Sequence, residues 1–207
     1  MQRFLDVPVM GIVRGLSREQ LEVILPAYIA SGLNTIEITL NTPGATELIR
    51  MAKASGGENL QVGAGTIRAL KDLETALHAG ASFIVTPISD EEVVTRCVQS
   101  GIPVFPGAFT PTEIHRAYVL GATMVKVFPA SVLGPDYIRN LKAPMPDVPL
   151  MPTGGIDLET LSRFKAAGAD AYGIGSPLFP AKLIELNDRN AWQQHFESFV
   201  QVSRKTL

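Results

Sequence analysis

Five times along this chain an amphipathic stretch ends in glycine and a short apolar run follows. The glycines are Gly32 (before TIEITL), Gly80 (before FIVTP), Gly101 (before PVFPGA), Gly121 (before MVKVFP) and Gly168 (before AYGIG). Their separations of 48, 21, 20 and 47 residues read as two single units and two doubles. The unmarked joins fall before QVGAGT at 61–66 and LMPTGG at 150–155. Glycine takes the left-handed conformation that ends a helix, after which the chain can turn straight into a buried strand. On this rule the strands are 8–14, 35–40, 61–66, 82–86, 103–108, 124–128, 150–153 and 171–175, each followed by a helix-sized segment. Helix-start signals support the alternation: Ser17 with Gln20 three residues on, Pro111-Thr112-Glu113, and Asp157-Leu158-Glu159.

Strand alternating with helix means a parallel sheet. A doubly wound open sheet is the rival, but eight evenly spaced units fit a closed (β/α)8 TIM barrel better. With 207 residues and no linker or low-complexity tract, one domain over 1–207 is expected. The formal charge of −2 argues against a nucleic-acid partner, and a single cysteine excludes disulfide scaffolds and thiolate metal clusters. No apolar run reaches the roughly 20 residues of a membrane span, and residues 1–6 do not read as a secretory signal. The class left is a compact, soluble, cytoplasmic protein with no membrane partner.

Strands covered on both faces should be apolar throughout, and two are not. In Thr35-Ile36-Glu37-Ile38-Thr39-Leu40-Asn41 a period of two puts Ile36, Ile38 and Leu40 on one face and Glu37 with three polar neighbours on the other. In Met124-Val125-Lys126-Val127-Phe128, Lys126 shares a face with Met124 and Phe128. An unpaired charge in such a place costs several kcal/mol, so the group shifts its pKa, pairs, or serves chemistry. A functionless buried Lys–Glu pair is the plain alternative. A desolvated lysine instead keeps a free amine near neutral pH, which a Schiff-base nucleophile requires, and a carboxyl group in the same lumen can carry protons.

Two glycine-bearing turns, Pro152-Thr153-Gly154-Gly155 and Gly173-Ile174-Gly175-Ser176, close the seventh and eighth strands. In barrels these loops commonly bind phosphate through backbone N–H groups, although tight turns also use glycine. Thr66, ending GAGT, and Arg14, ending the first strand, are candidates to hold a carboxylate, with close packing and a solvated side chain as the bland readings. His78, His115 and His195 lie in helical segments and assemble no metal site, so no metal is expected. Cys97 reads as a buried thiol, and Trp192 with Phe196 as core contacts.

With EITL, GAGT, VKVFPAS, PTGG and IGS in this order, the sequence resembles the bacterial 2-keto-3-deoxy-6-phosphogluconate aldolase family over about Pro8–Ser176. That family includes 4-hydroxy-2-oxoglutarate aldolases and a 6-phosphogalactonate branch. The resemblance implies a homotrimeric barrel that uses a lysine imine and no cofactor. It makes Lys126 the Schiff-base former, Glu37 the acid–base, and Thr66 a carboxylate contact. It places Thr153, Gly154, Gly155, Gly175 and Ser176 at the substrate hydroxyl and phosphate site. Asn41 stands where the gluconate type usually carries a carboxylate-binding Arg; there, and in Arg14, the chain resembles the galactonate branch. Thr153 matches the gluconate type instead. The reaction expected is cleavage of 2-keto-3-deoxy-6-phosphogluconate to pyruvate and D-glyceraldehyde 3-phosphate, with Arg14, Thr66 and Asn41 on the carboxylate. The galactonate epimer and 4-hydroxy-2-oxoglutarate are alternative substrates. A non-imine phosphosugar isomerase or epimerase, and a silent phosphosugar-binding protein, are the rival classes.

Overall fold

A computed structural model of the protein describes residues 2–186 and 188–204. Strands and helices alternate through β1 (Val9–Val13), α2 (Arg18–Ala30), β2 (Thr35–Thr39), α3 (Ala45–Gly56), β3 (Gln61–Gly65), α4 (Leu70–His78), β4 (Ile84–Val85) and α5 (Glu91–Gln99). They continue through β5 (Val104–Phe105), β6 (Gly107–Ala108), α6 (Pro111–Val119), β7 (Val125–Val127), α7 (Ala130–Lys142), β8 (Leu150–Pro152), α8 (Leu158–Ala166) and β9 (Tyr172–Ile174). Helix α1 (Gln2–Asp6) precedes them, and α9 (Ala181–Leu186) and α10 (Arg189–Ser203) follow. Every pairing between the described strands is parallel.

The five marker glycines all take positive φ, between 66° and 95°. After four of them the chain makes the two backbone bonds of a Schellman stop. At Gly101, for example, Gly101 N donates to Val98 O at 3.1 Å and Ile102 N to Cys97 O at 2.9 Å. The anticipated starts also form. Ser17 with Gln20, Thr110 with Glu113, and Asp157 with Thr160 each make a reciprocal capping box.

The sheet departs from eight continuously paired strands in two respects, one being that β8 meets β9 only through the isolated Thr153–Gly173 bridge. The other is that the expected strand 103–108 is two, with β5 paired to β4 and β6 paired to β7. Pro106 between them has no N–H for a ladder, though its carbonyl accepts from Lys126 N at 2.9 Å. The strands are therefore grouped as a six-stranded sheet, β5-β4-β3-β2-β1-β9, and a three-stranded sheet, β6-β7-β8. Hydrogen bonds link the two sheets at both margins. Thr123 N donates to Val104 O at 2.9 Å, Asp170 N donates to Leu150 O at 2.9 Å, and Thr153 bridges to Gly173.

Period two divides the core. Val9, Ile36, Ile38, Val125, Val127 and Leu150 belong to one large cluster shared with the helices. Met10, Phe83, Phe105, Met124 and Met151 form a second cluster from the other strand faces. Phe4, from the unanticipated α1, is fully buried in that inner cluster, edge-on to Phe105 at 5.9 Å. Gly63 leaves the room that the Phe83 ring occupies, since a Cβ there would come within 2.2 Å of it. Because Phe83, Met124 and Ala171 sit just before β4, β7 and β9, this plug fills the N-terminal end of the strands. Trp192 and Phe196 are core contacts, stacked with centroids 5.2 Å apart.

Gly101 isolates the value of the helix stop, because a Cβ there would meet nothing within 4 Å. An L side chain at left-handed φ costs about 1–2 kcal/mol, partly offset by the loss of unfolded-chain entropy. Gly101→Ala is expected to lower stability by about 1 kcal/mol, and Gly101→Asn by less, in urea unfolding.

Candidate active site

Position 126 lies on the strand face shared with Met124, in register with Gly107 on β6 and Met151 on β8. Its side chain is only 6% exposed, and Nζ lies 5.1 Å from the centre of the Phe128 ring. Glu37 occupies the inner face of β2, opposite Ile36 and Ile38, and is 1% exposed. Its register partner on β3 is Gly63, and its side chain leans over Gly65 two residues on, where a Cβ would lie 1.6 Å from Glu37 Oε1. The glycine of GAGT is thus the space that the carboxyl group fills.

Burial raises the Glu37 pKa, while the nearby Lys126 and Arg14 charges pull it down, and the rise prevails. Lys126 is lowered, first by burial and then by Arg14, against the opposing pull of Glu37. The two feel each other through space without direct ion-pair contact. Desolvation thus works toward the neutral form of both groups, the carboxylic acid and the free amine. Glu37 Oε2 has no hydrogen-bond partner among the described residues. An orphaned buried acceptor costs about 1–3 kcal/mol, which packing alone does not justify.

Above the plug, toward the C-terminal strand ends, Lys126 opens into a cavity of about 650 Å³. Arg14, Thr153, Gly154, Gly155, Gly175 and Ser176 also wall it, so the two glycine turns and the β1 end converge as expected. Gly154 and Gly155 have φ of 92° and 75°, and a Cβ on Gly155 would come within 2.6 Å of Ser131. The Thr153 hydroxyl donates to Met151 O at 3.3 Å and fits the notch left by Gly173. Glu37, Thr66 and Asn41 are not among the lining residues. Asn41 is exposed, in the turn that follows β2. Thr66 ends β3 half-buried, with φ of 62°, and is the one non-glycine residue at positive φ among those described. For a β-branched residue that is a strained conformation.

Phe128, Phe179, Leu16 and Ile184 supply an apolar wall, and Gln20 and Glu185 a polar rim, none of them anticipated as site residues. Phe128 was legible two residues beyond Lys126. Phe179, Ile184 and Glu185 come from the segment after the last strand, where no motif points. His78 and His115 are exposed, and His195 packs among Phe196 and Phe199. Among the described residues no three His, Cys, Asp or Glu gather where they could hold a metal. Cys97 is buried, its thiol pushed up to about 11 by desolvation.

The KDPG and KHG aldolase family matches residues 2–195 of this sequence. The chain belongs to that family. It is 35% identical over 182 residues to the 2-dehydro-3-deoxy-6-phosphogalactonate aldolase of Escherichia coli (strain K12), covering 87% of this chain and 89% of that one. It is equally 35% identical, over 176 residues, to the 2-dehydro-3-deoxy-phosphogluconate aldolase of Pseudomonas aeruginosa, covering 83% and 78%. A solved KDPG aldolase from Legionella pneumophila, holding pyruvate as a covalent carbinolamine, superposes with a TM-score of 0.83. That match is 25% identical over 97% of this chain and 96% of that one. Aldolase relatives of both epimer types thus share this chain's sequence to the same degree.

The raised Glu37 pKa sets a signed expectation for stability in this aldolase-family fold. Below 4.5, the ordinary carboxyl value, folded and unfolded states both hold the proton. As pH rises past it, the unfolded chain ionises while the folded one keeps its proton, so the native protein loses stability until the folded pKa is passed. Glu37→Gln removes this loss. Thermal unfolding is expected to show the variant more stable than the wild type, with the gap wider near pH 8 than near pH 5.

Proposed function

We propose that this chain is a class I, imine-forming aldolase. It cleaves 2-keto-3-deoxy-6-phosphogluconate to pyruvate and D-glyceraldehyde 3-phosphate, working as one (β/α)8 barrel domain over residues 1–207. The observation that carries the reading is the desolvated Lys126, opening into the cavity that both glycine turns wall, with the Glu37 acid beside it in charge range. Sheet-to-sheet hydrogen bonds at both margins support closure of the strands into a barrel. The homotrimer and cytoplasmic setting follow from the family resemblance.

Lys126 Nζ adds to the C2 ketone, forming a C–N bond. Glu37 supplies the proton with which the carbinolamine oxygen leaves as water, giving a protonated imine. The carboxylate so formed takes the C4 hydroxyl proton, through a water that its uncommitted Oε2 can address. The C3–C4 bond then breaks and its electron pair moves into the imine, leaving the enamine of pyruvate and a free aldehyde. Glu37 passes that proton to C3; water then adds at C2, the C–N bond breaks to give pyruvate and the free amine, and the proton released restores the Glu37 acid. Arg14 and Thr66, with Asn41, hold the substrate carboxylate; the strained backbone of Thr66 supports a functional placement. Thr153 addresses a substrate hydroxyl. Gly154, Gly155, Gly175 and Ser176 hold the phosphate, whose remote binding orients the chain for cleavage.

Borohydride added with pyruvate is expected to leave a stable adduct on Lys126 and none on Lys126→Met, whose aldol cleavage falls by about 10³-fold or more. No adduct on the wild type would favour the isomerase or epimerase reading, and no pyruvate from any keto-deoxy acid the silent binder. Kinetics on the gluconate-derived and galactonate-derived 6-phosphates are expected to favour the first, through Thr153. Equal rates would show that Thr153 does not discriminate.

A further inference from the structure

Two threonine hydroxyls that the mechanism does not use lie fully inside the fold at the end of β2. Thr39 and Thr42 are 0% and 3% exposed. Gly15 N donates to Thr42 Oγ1 at 3.0 Å, and Thr39 Oγ1 donates to Val13 O at 3.2 Å. The two hydroxyl oxygens are 3.0 Å apart. With the Thr39 proton committed to Val13 O, the bond between them has one direction: Thr42 donates and Thr39 accepts. The hydrogen bonds then run in one line from Gly15 N–H through Thr42 and Thr39 to Val13 C=O. Both peptide groups that flank Arg14 are fastened by it.

We infer that Thr39 and Thr42 are positioning residues that hold the backbone of Arg14 so that its guanidinium faces the substrate. This deepens the proposed function and rests on the reading of Arg14 as a carboxylate ligand. Arg14 directly follows β1, which ends at Val13, and Gly15 comes next at φ 72°, the point where an unheld chain would swing away. Arg14 is exposed on the cavity wall, and its main chain is where these two buried hydroxyls act on it. For filling space alone, valine would serve at both threonines and would leave no hydroxyl to satisfy. The turn that brings Thr42 back is closed by Thr42 N donating to Thr39 O at 2.9 Å. Glu37 stands two residues before Thr39 on the same strand face. The clamp therefore ties the anion-binding arm to the strand that carries the acid.

Arg14 holds the carboxylate in ground and transition states alike, so misplacing it raises KM and leaves kcat nearly unchanged. Steady-state cleavage of the 6-phosphogluconate-derived keto acid is expected to show KM about tenfold higher in Thr42→Val, with kcat within about twofold. Thr42→Ser, which keeps the hydroxyl, restores KM to within about twofold. Arg14→Met raises KM itself, and Thr42→Val added to Arg14→Met changes nothing more, because the clamp has no arm left to hold. A full further effect of Thr42→Val on the Arg14→Met background, or no rescue by serine, overturns the inference. Arg14→Met with a raised KM and Thr42→Val with none would overturn it alone, leaving the role of Arg14 intact. An unchanged KM in Arg14→Met would overturn both. Should Thr42→Val fail to fold, Thr39→Val decides: a raised KM supports the clamp and an unchanged one refutes it.

Discussion

An amine and a carboxyl group are buried in one interior, almost closed to solvent, and the rest of the molecule is arranged around that fact. In solution Lys126 and Glu37 would both be charged. Buried together without direct contact, they favour the neutral forms, amine and carboxylic acid. The same desolvation moves both groups toward the forms that the proposed chemistry uses, a free amine and a carboxylic acid. Arg14 is the third charge in range, favouring the free amine on Lys126 while drawing Glu37 toward its ionised form.

That arrangement depends on residues with no side chain. Gly65 is absent where the Glu37 carboxyl must be, and Gly173 where the Thr153 hydroxyl must be. Below them, Gly63 gives its space to the Phe83 ring of the inner plug. The inner faces are thus graded along the strands. Aromatic and methionine side chains fill the N-terminal end, and the reactive groups and the cavity occupy the other. A methyl group at Gly65 would overlap the Glu37 carboxyl group and force it to move.

Much of this was legible because it rests on local rules. Glycine stops, capping boxes and period-two faces depend on neighbours a few residues apart, and the positive φ at Gly32, Gly80, Gly101, Gly121 and Gly168 follows from them. Lys126 and Glu37 stood out because a charge in an apolar strand has few uses. The split of 103–108 at Pro106 was visible as a proline but not as a change of sheet, which depends on what pairs with either side. Phe4 looked like a terminal residue; its burial depends on strands distant in sequence. The Thr39–Thr42 clamp was illegible for the same reason, since its two partners, Val13 and Gly15, are about 25 residues away. Phe179 and Ile184 reach the cavity only because the segment after β9 folds back over it.

The central claim is that burial, more than any charged partner, lowers the Lys126 pKa and so favours its free amine. A direct check is an NMR titration of the lysine side-chain carbons in isotope-labelled protein, with the Lys126 signal assigned by its loss in the methionine variant. The account predicts that this one lysine titrates well below 10.5, the ordinary lysine value, and apart from the solvent-facing lysines. A Lys126 signal that titrates together with theirs would contradict it.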